Sequence, residues 1–479
     1  MRRFLLFLLA AVLPSAAYGQ TCPDFFPPVT TGMLQSLAVN EASGLVASEQ
    51  NPGVFWVHND SGDTARTFAM RADGTVLATY NLTGVSAVDW EDMARGPGPA
   101  PGVTYLYLAD IGDNPAARSF ITVYRVPEPL VDPETQGVEI DLGTAVALEM
   151  EYPVGAHDAE TLLSDPLTGD LFVVTKCRGA SGCTDGVSHV FRYPFPHQDG
   201  VRVTLAEVAT IPFSGPEFVH SATGGDVSAA GNRIAVRTYT QALLWERGPA
   251  DSIAQALATA PCPIAVAPEV QGETLAFSID GSSYSSVSEF VSQPIHRIDE
   301  ILGDQTLLGK RLFVRDASAG TDPTKRKVVV TAKEVASPDT IVGTPLVSGA
   351  VLDVAANGGN GTTQTFVLLA GADSKGKSFW RALGPTGFVY SDPRGEQGPV
   401  KKVVLRKSAS GTFSLKVVLL GKNGPLDIVP PAPGTDGHAT LRFPGGDRYC
   451  VEYGPSAESK NDGAKLWRVR HVSGEGCPP

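Results

Sequence analysis

Apolar residues in this chain come in short runs, such as Val54–Val57, Tyr105–Ala109 and Leu171–Val174, each closed off by Gly, Pro, Asn or Asp. No stretch sustains the 3.6-residue apolar period of an amphipathic helix. Runs rich in Val, Tyr, Phe and Thr between turn residues predict strands, so the chain reads as all-β.

The runs repeat. Five segments share one plan, with an acid, a short strand, a turn and a second strand: "NEASGLVASEQNPGVFWVHNDSGD", "DWEDMARGPGPAPGVTYLYLADIGDN", "HDAETLLSDPLTGDLFVVTK", "TGGDVSAAGNRIAVRTYT" and "QGETLAFSIDGSSYSSVSE". Their leading acids are Glu41, Glu91, Glu160, Asp226 and Glu273, spaced by 50, 69, 66 and 47 residues. Glu41 to Asp60 and Glu91 to Asp110 both span 19 residues, and each then continues as Asp-x-Gly-Asp. Further strand-like runs, such as "ITVYRVP" and "ALLWERG", bring each unit to about four strands. That is the pattern of a β-propeller, in which blades stack in a ring because none buries both faces alone. The count predicts five blades, or six if residues 114–157 hide another. The stretch "MLQSLAV" before Glu41 is expected to supply the outer strand that closes the ring.

Length and charge add a second part. A chain of 479 residues exceeds one ordinary domain. Residues 20–300 carry 13 Lys+Arg against 35 Asp+Glu, a net −22, whereas residues 301–479 carry 23 against 16, a net +7. The expected division is a propeller over 20–300 and a C-terminal all-β accessory domain, sandwich-like or barrel-like, over 301–479. An acidic propeller repels nucleic acid and attracts cations. The basic strands lack interleaved aromatic residues that would stack bases, so no nucleic-acid partner is expected. A small molecule or an anionic cell-surface polymer is.

Residues 1–19 have the layout of a signal peptide: Arg2 and Arg3, an apolar run and a small-x-small cleavage site. No stretch is long enough to span a membrane. A secreted or periplasmic protein is expected, and six cysteines in such a chain favour disulfides. Cys177 with Cys183 closes a small loop, Cys450 and Cys477 share the C-terminal region, and Cys22 is left for Cys262.

If the alignment holds, Glu41, Glu91, Glu160, Asp226 and Glu273 converge at the channel. Converging carboxylates repel unless a cation or protons relieve them. Calcium, which takes six to eight oxygens with loose geometry, is the expected cation. Asp60 and Asp110 are expected at the channel mouth as ligand-binding groups, although Asp and Gly are also ordinary turn residues. Lys176, the only lysine in the acidic half, is placed to neutralise an acid or meet an anionic ligand. His157 directly precedes Asp158-Ala159-Glu160, which makes His157 and Glu160 the candidate general bases. Trp56 and Trp90 are expected to pack between blades. No nucleophile elbow, P-loop or HExxH motif is present.

The string "NEASGLVAS … FWVHNDSGD … DWEDMA … YLYLADIGDN … HDAETLL … QGETLAFS" resembles a group of exported bacterial β-propeller proteins over about residues 35–297. It is more distantly similar to the five-bladed calcium-activated nucleotidases (apyrases). That resemblance implies one channel calcium, with Glu41, Asp60, Glu91 and Glu160 at the matching positions. Phytase-like and lactonase-like calcium propellers are similar in outline. Two functions follow as expectations: a propeller that binds calcium and a ligand or partner at its acidic mouth, or a calcium-dependent hydrolase of phosphoesters, phosphoanhydrides or lactones.

Overall fold

The structure is a computed structural model, and it describes residues 22–177, 186–213, 221–454 and 458–470. The expected signal peptide, Cys183 and Cys477 lie outside the described residues.

Four separate antiparallel sheets form the blade-like units. The first contains Ala42–Ala47, Val54–Asn59, Arg66–Arg71 and Val76–Leu82. The second contains Trp90–Pro97, Thr104–Asp110, Ile121–Pro127 and Val146–Glu151. The third contains Ala159–Ser164, Leu171–Thr175, Ser188–Tyr193 and Ala206–Ile211. The fourth contains Gly224–Val227, Arg233–Arg237, Ala242–Glu246 and Cys262–Ile264. The result is an all-β, β-propeller-like arrangement.

The fifth expected unit is not a separate sheet. Ala276–Phe277, Ser283–Val287 and Pro294–Leu307 pair in order, but the last of these strands continues past its blade and pairs in parallel with Gly446–Tyr453. The strand set therefore belongs to a nine-stranded sheet shared with the C-terminal half. The ring-closing strand is Val29–Met33, which pairs with Pro294–Arg297. It lies earlier than "MLQSLAV", because Leu34 and Val39 are instead buried in the core between the first and fifth units. The stretch 114–157 hides no sixth blade. It supplies the third and fourth strands of the second sheet, and between them Val138–Gly143, which adds in parallel to the outer edge of the first.

Burial explains the ring. Separate apolar cores fill the seams between successive units. Trp56, Met93, Trp90 and Leu108 fill the first seam, Tyr107, Leu162 and Leu171 the second, and Val236, Trp245 and Ile253 the third. Leu244, Phe277 and Ile298 fill the next, and Leu45, Phe68, Val287 and Ile295 close the circle. Cys22 is bonded to Cys262, which ties the chain's start to the fourth unit beside the closing strand.

In the C-terminal half, an eight-stranded sheet and the Gly446–Tyr453, Gly437–Arg442, Ala350–Ala356 and Thr362–Leu368 strands share one core. It includes Leu312, Val330, Leu352, Leu405, Val417, Leu441 and Trp467.

Candidate functional site

The innermost strand of each unit begins at the same rim of the ring, and small register irregularities decide which side chains meet there. In the first sheet Ala42 lies opposite Asn59 and Gly44 opposite His58, so Ser43 is bulged out of the pairing. Glu91 is bulged in the same way in the second sheet, and Glu160 in the third. The same one-residue offset separates the bridge Gly272↔Ser288 from the pair Ala276↔Ser285, on either side of Glu273. A bulge turns its extra residue out of the ladder and re-aims it. Ser43, Glu91, Glu160 and Glu273 are thus structurally equivalent. The Ser43 hydroxyl reaches both neighbours, donating to the Glu91 carbonyl and, at 3.2 Å, to Glu273 Oε2.

This register corrects the expected alignment. Glu41 is the counterpart of Asp89, because Ala42 pairs with Asn59 as Trp90 pairs with Asp110. Asp60 follows that pair, whereas Asp110 is part of it. The shared spacing of 19 residues is a coincidence of different loop lengths. The signal that locates the bulge is the apolar residue two positions later: Leu45, Met93, Leu162 and Leu275.

Two overlapping carboxylate groups form at the rim. Oxygens of Asp60, Asp89 and Glu91 lie within 4.8 Å of one another, and so do oxygens of Asp60, Glu273 and Glu289. Asp60 belongs to both. Asp89 and Glu289 were not among the predicted site residues. Glu289 follows the second strand of its unit, where no leading acid marks it. Gly112 is required here: a Cβ on it would lie 2.3 Å from Glu91 Oε1 and 2.5 Å from Asp89 Oδ2.

Burial and nearby like charges push Asp60, Asp89, Glu91 and Glu289 toward their protonated forms. Desolvation, then Glu273 and Asp89, raises Asp60 to about 7. Desolvation, then Glu273 and Asp60, pushes Glu289 up to about 9. Glu91 is raised well above the ordinary carboxylate range by burial, with Asp60 and Glu273 adding to it. Lys176 opposes the shifts at Asp60 and Glu91. It is buried and ion-paired with Glu160, and its ammonium donates to the Tyr239 hydroxyl at 3.3 Å. Tyr239 in turn donates to Glu273 Oε1 at 3.2 Å. Lys176 and Glu160 therefore join the site through Tyr239. Glu160 Oε2 and Asp158 Oδ2 are buried and accept no hydrogen bond among the described residues.

The other predicted site residues stand elsewhere. Glu41 is half-buried and outside both groups, with its backbone carbonyl accepting from the Asp60 amide at 2.8 Å. Asp226 lies deeper in the channel. Its carboxylate accepts from the Val227 amide at 2.7 Å and the Phe277 amide at 2.8 Å, bridging the fourth unit to the fifth. Asp92 bridges the second unit to the third in the same manner, through Met93 and Leu162. Asp110 accepts from the amides of Val88 and Asp89 and pairs with Arg118 at 2.7 Å, so it holds the loop that carries Asp89. The His157 ring packs on Tyr152 and Phe191, with Nε2 against the Val154 carbonyl, and is not gathered with the acids. Trp56 and Trp90 are buried between units as expected.

Chemically, the rim offers hard oxygens at close quarters, several of them pushed toward protonation by burial first and by neighbouring carboxylates second. Carboxylates of this kind suit a hard divalent cation.

The fold defines a β-propeller-like, all-β protein. A solved structure similar to the chain is the β-propeller domain of Myceliophteria thermophila Cps50 (Swd1), at 12% identity and a TM-score of 0.30, over 56% of this chain and 99% of that one. No protein-family model matches the chain, and no curated protein sequence does.

Proposed function

We propose that this is an exported, five-bladed propeller that binds calcium at its acidic rim and uses the bound ion to take up a ligand or partner. The fifth blade is the strand set Ala276–Phe277, Ser283–Val287, the first part of Pro294–Leu307 and Val29–Met33. The C-terminal half is an accessory domain. Export fits the Cys22–Cys262 bond, since disulfides persist in oxidising compartments. One observation carries the cation reading: Asp60 is shared by two carboxylate groups, each with its oxygens within 4.8 Å of one another, and burial with neighbouring carboxylates raises the proton affinity of Asp60 and Glu289. The ligands are Asp60, Asp89, Glu91, Glu273 and Glu289. A melting curve in chelator and again in millimolar calcium tests this. The reading expects a calcium-dependent rise that Asp60→Asn abolishes; a rise of equal size in the variant refutes it.

The alternative is a calcium-dependent hydrolase of phosphoesters, phosphoanhydrides or lactones. It is favoured by Glu160, which is outside the proposed ligand set and whose Oε2 is buried and accepts no hydrogen bond among the described residues, leaving it to act as general base. Hydrolysis screening with calcium and with chelator separates the two readings, because only the enzyme gives chelator-sensitive turnover.

A further inference from the structure

The eight-stranded sheet of the C-terminal half carries a basic plate with no acidic partner among the described residues. Four of its strands, Gly309–Asp316, Arg326–Glu334, Phe413–Leu420 and Val400–Lys407, are internal to the sheet and paired on both sides. Their residues alternate strictly. Phe413, Leu415, Val417 and Leu419 point into the core, while Ser414, Lys416, Val418 and Leu420 face out. Register places Arg311, Arg315, Lys327, Lys402, Arg406 and Lys416 on that same outer face, and all six are exposed. None of their cross-strand partners is acidic. The carboxylate-paired cations of this half, such as Arg326 with Asp316 and Arg394 with Glu396, are other residues.

Stability does not account for this pattern. Arg311 stands directly opposite Arg470, and Arg315 opposite Lys327. Like charges in such positions destabilise a sheet. Lysines that guard a sheet edge against aggregation belong on edge strands, and these four strands are not edges. We infer that this face docks a linear anionic polysaccharide. The rows are staggered: Arg311 and Arg315, and likewise Lys402 and Arg406, stand four residues apart on their strands, about 13 Å, with Lys327 and Lys416 on the two strands between, so positive charge is spread over the face for a polymer with repeating carboxylate or sulfate groups. Val404, Val418 and Leu420, half-buried between the cations, leave short apolar strips for sugar rings.

The chemistry of this face disfavours other partners. The aromatic residue among these rows, Phe313, is half-buried beside Arg311, whose guanidinium lies 6.0 Å from the ring, so it offers little stacking surface for bases. No large apolar side chain protrudes from the four strands to enter a bilayer, as an interfacial anchor does. A second copy of the chain would have to present its acids, but those at the rim are recessed. Outer ones such as Glu149, Asp199 and Glu207 are paired with Arg202, Arg125 and His189, whereas Asp132, Glu134, Glu139 and Asp141 are exposed and in no ion pair among the described residues, so a second copy is kept as an outcome of the test.

The test measures binding of the full chain to alginate oligomers and to dextran sulfate, with neutral dextran as control, at 50 and 300 mM NaCl. Salt at the higher level screens exposed charges more strongly. We expect binding to at least one anionic polymer that weakens with salt. The triple variant Lys402→Gln/Arg406→Gln/Lys416→Gln should lose it at least tenfold. Its melting temperature should be unchanged or raised, because repulsion is relieved. A second triple, Lys375→Gln/Lys377→Gln/Lys422→Gln, changes net charge equally on exposed loops and should bind within twofold of wild type. Failure to bind either polymer overturns the inference, as does an equal loss in both triples. Face-dependent binding to phosphatidylglycerol vesicles without polysaccharide binding reassigns the plate to membranes. Self-association by sedimentation that the first triple abolishes reassigns it to a second copy.

Discussion

The Ser43 hydroxyl lies 3.2 Å from Glu273 Oε2, across the seam where the first blade unit meets the last. Ser43 occupies the bulge that carries glutamate in three other units, so the ring closes with a hydroxyl where a further carboxylate would add repulsion. Ser43→Ala removes the single hydroxyl proton shared between the Glu91 carbonyl and Glu273 Oε2 and should cost about 1–3 kcal/mol in denaturant unfolding. An unchanged midpoint would show that the seam does not depend on this contact.

Stability in chelator should fall as pH rises. Asp60 and Glu289 titrate near 7 and 9 in the folded chain, against ordinary values of 3.8 and 4.5. Between the two sets of values the folded state holds more protons than the unfolded state. Their stabilising contribution is therefore complete below about pH 4 and is lost as pH climbs through 7 and then 9. Urea unfolding at pH 5, 7 and 9 checks the slope, which Asp60→Asn should reduce. Stability rising over that range contradicts the assignment.

Asp226 accepts from two buried amides, and on the calcium proposal it is expected to act as a strut and not as a ligand. Asp226→Ala strands the amides of Val227 and Phe277 in a buried site, at about 1–3 kcal/mol for each unsatisfied donor. Asp226→Asn, which keeps an acceptor oxygen, should cost less. Calcium affinity should hardly change in either variant. A tenfold loss of affinity would place Asp226 among the ligands.

The Cys22–Cys262 bond closes a loop over a sequence separation of 240 residues beside the closing strand Val29–Met33. Replacing both cysteines with serine should destabilise by about 2–5 kcal/mol, mainly because the unfolded chain is no longer restricted. Thermal unfolding of the double variant measures it.

The blade pattern, the acids Glu91, Glu160 and Glu273 and the Cys22–Cys262 pairing were legible because strands, turns and cysteines leave local marks. The bulge was not. A one-residue offset is set by how two strands pair, and acid-to-acid spacing placed Glu41 where Ser43 stands. Glu289 was missed because it reaches the rim from the far end of a second strand. The junction between halves was hidden for a similar reason: Pro294–Leu307 runs as one strand through position 300, and its Gly303-Asp304 pair is absorbed by a register shift instead of a turn.

The central claim is that the rim exchanges protons for calcium. Calorimetric titration of calcium into metal-stripped protein at pH 7.5, in two buffers of different ionisation enthalpy, tests it directly. The account predicts saturable binding with net proton release, because cation ligands must be deprotonated and Asp60 and Glu289 hold protons near this pH. Asp60→Asn should weaken the binding sharply. Absence of binding, or binding with no proton release that Asp60→Asn leaves intact, contradicts it.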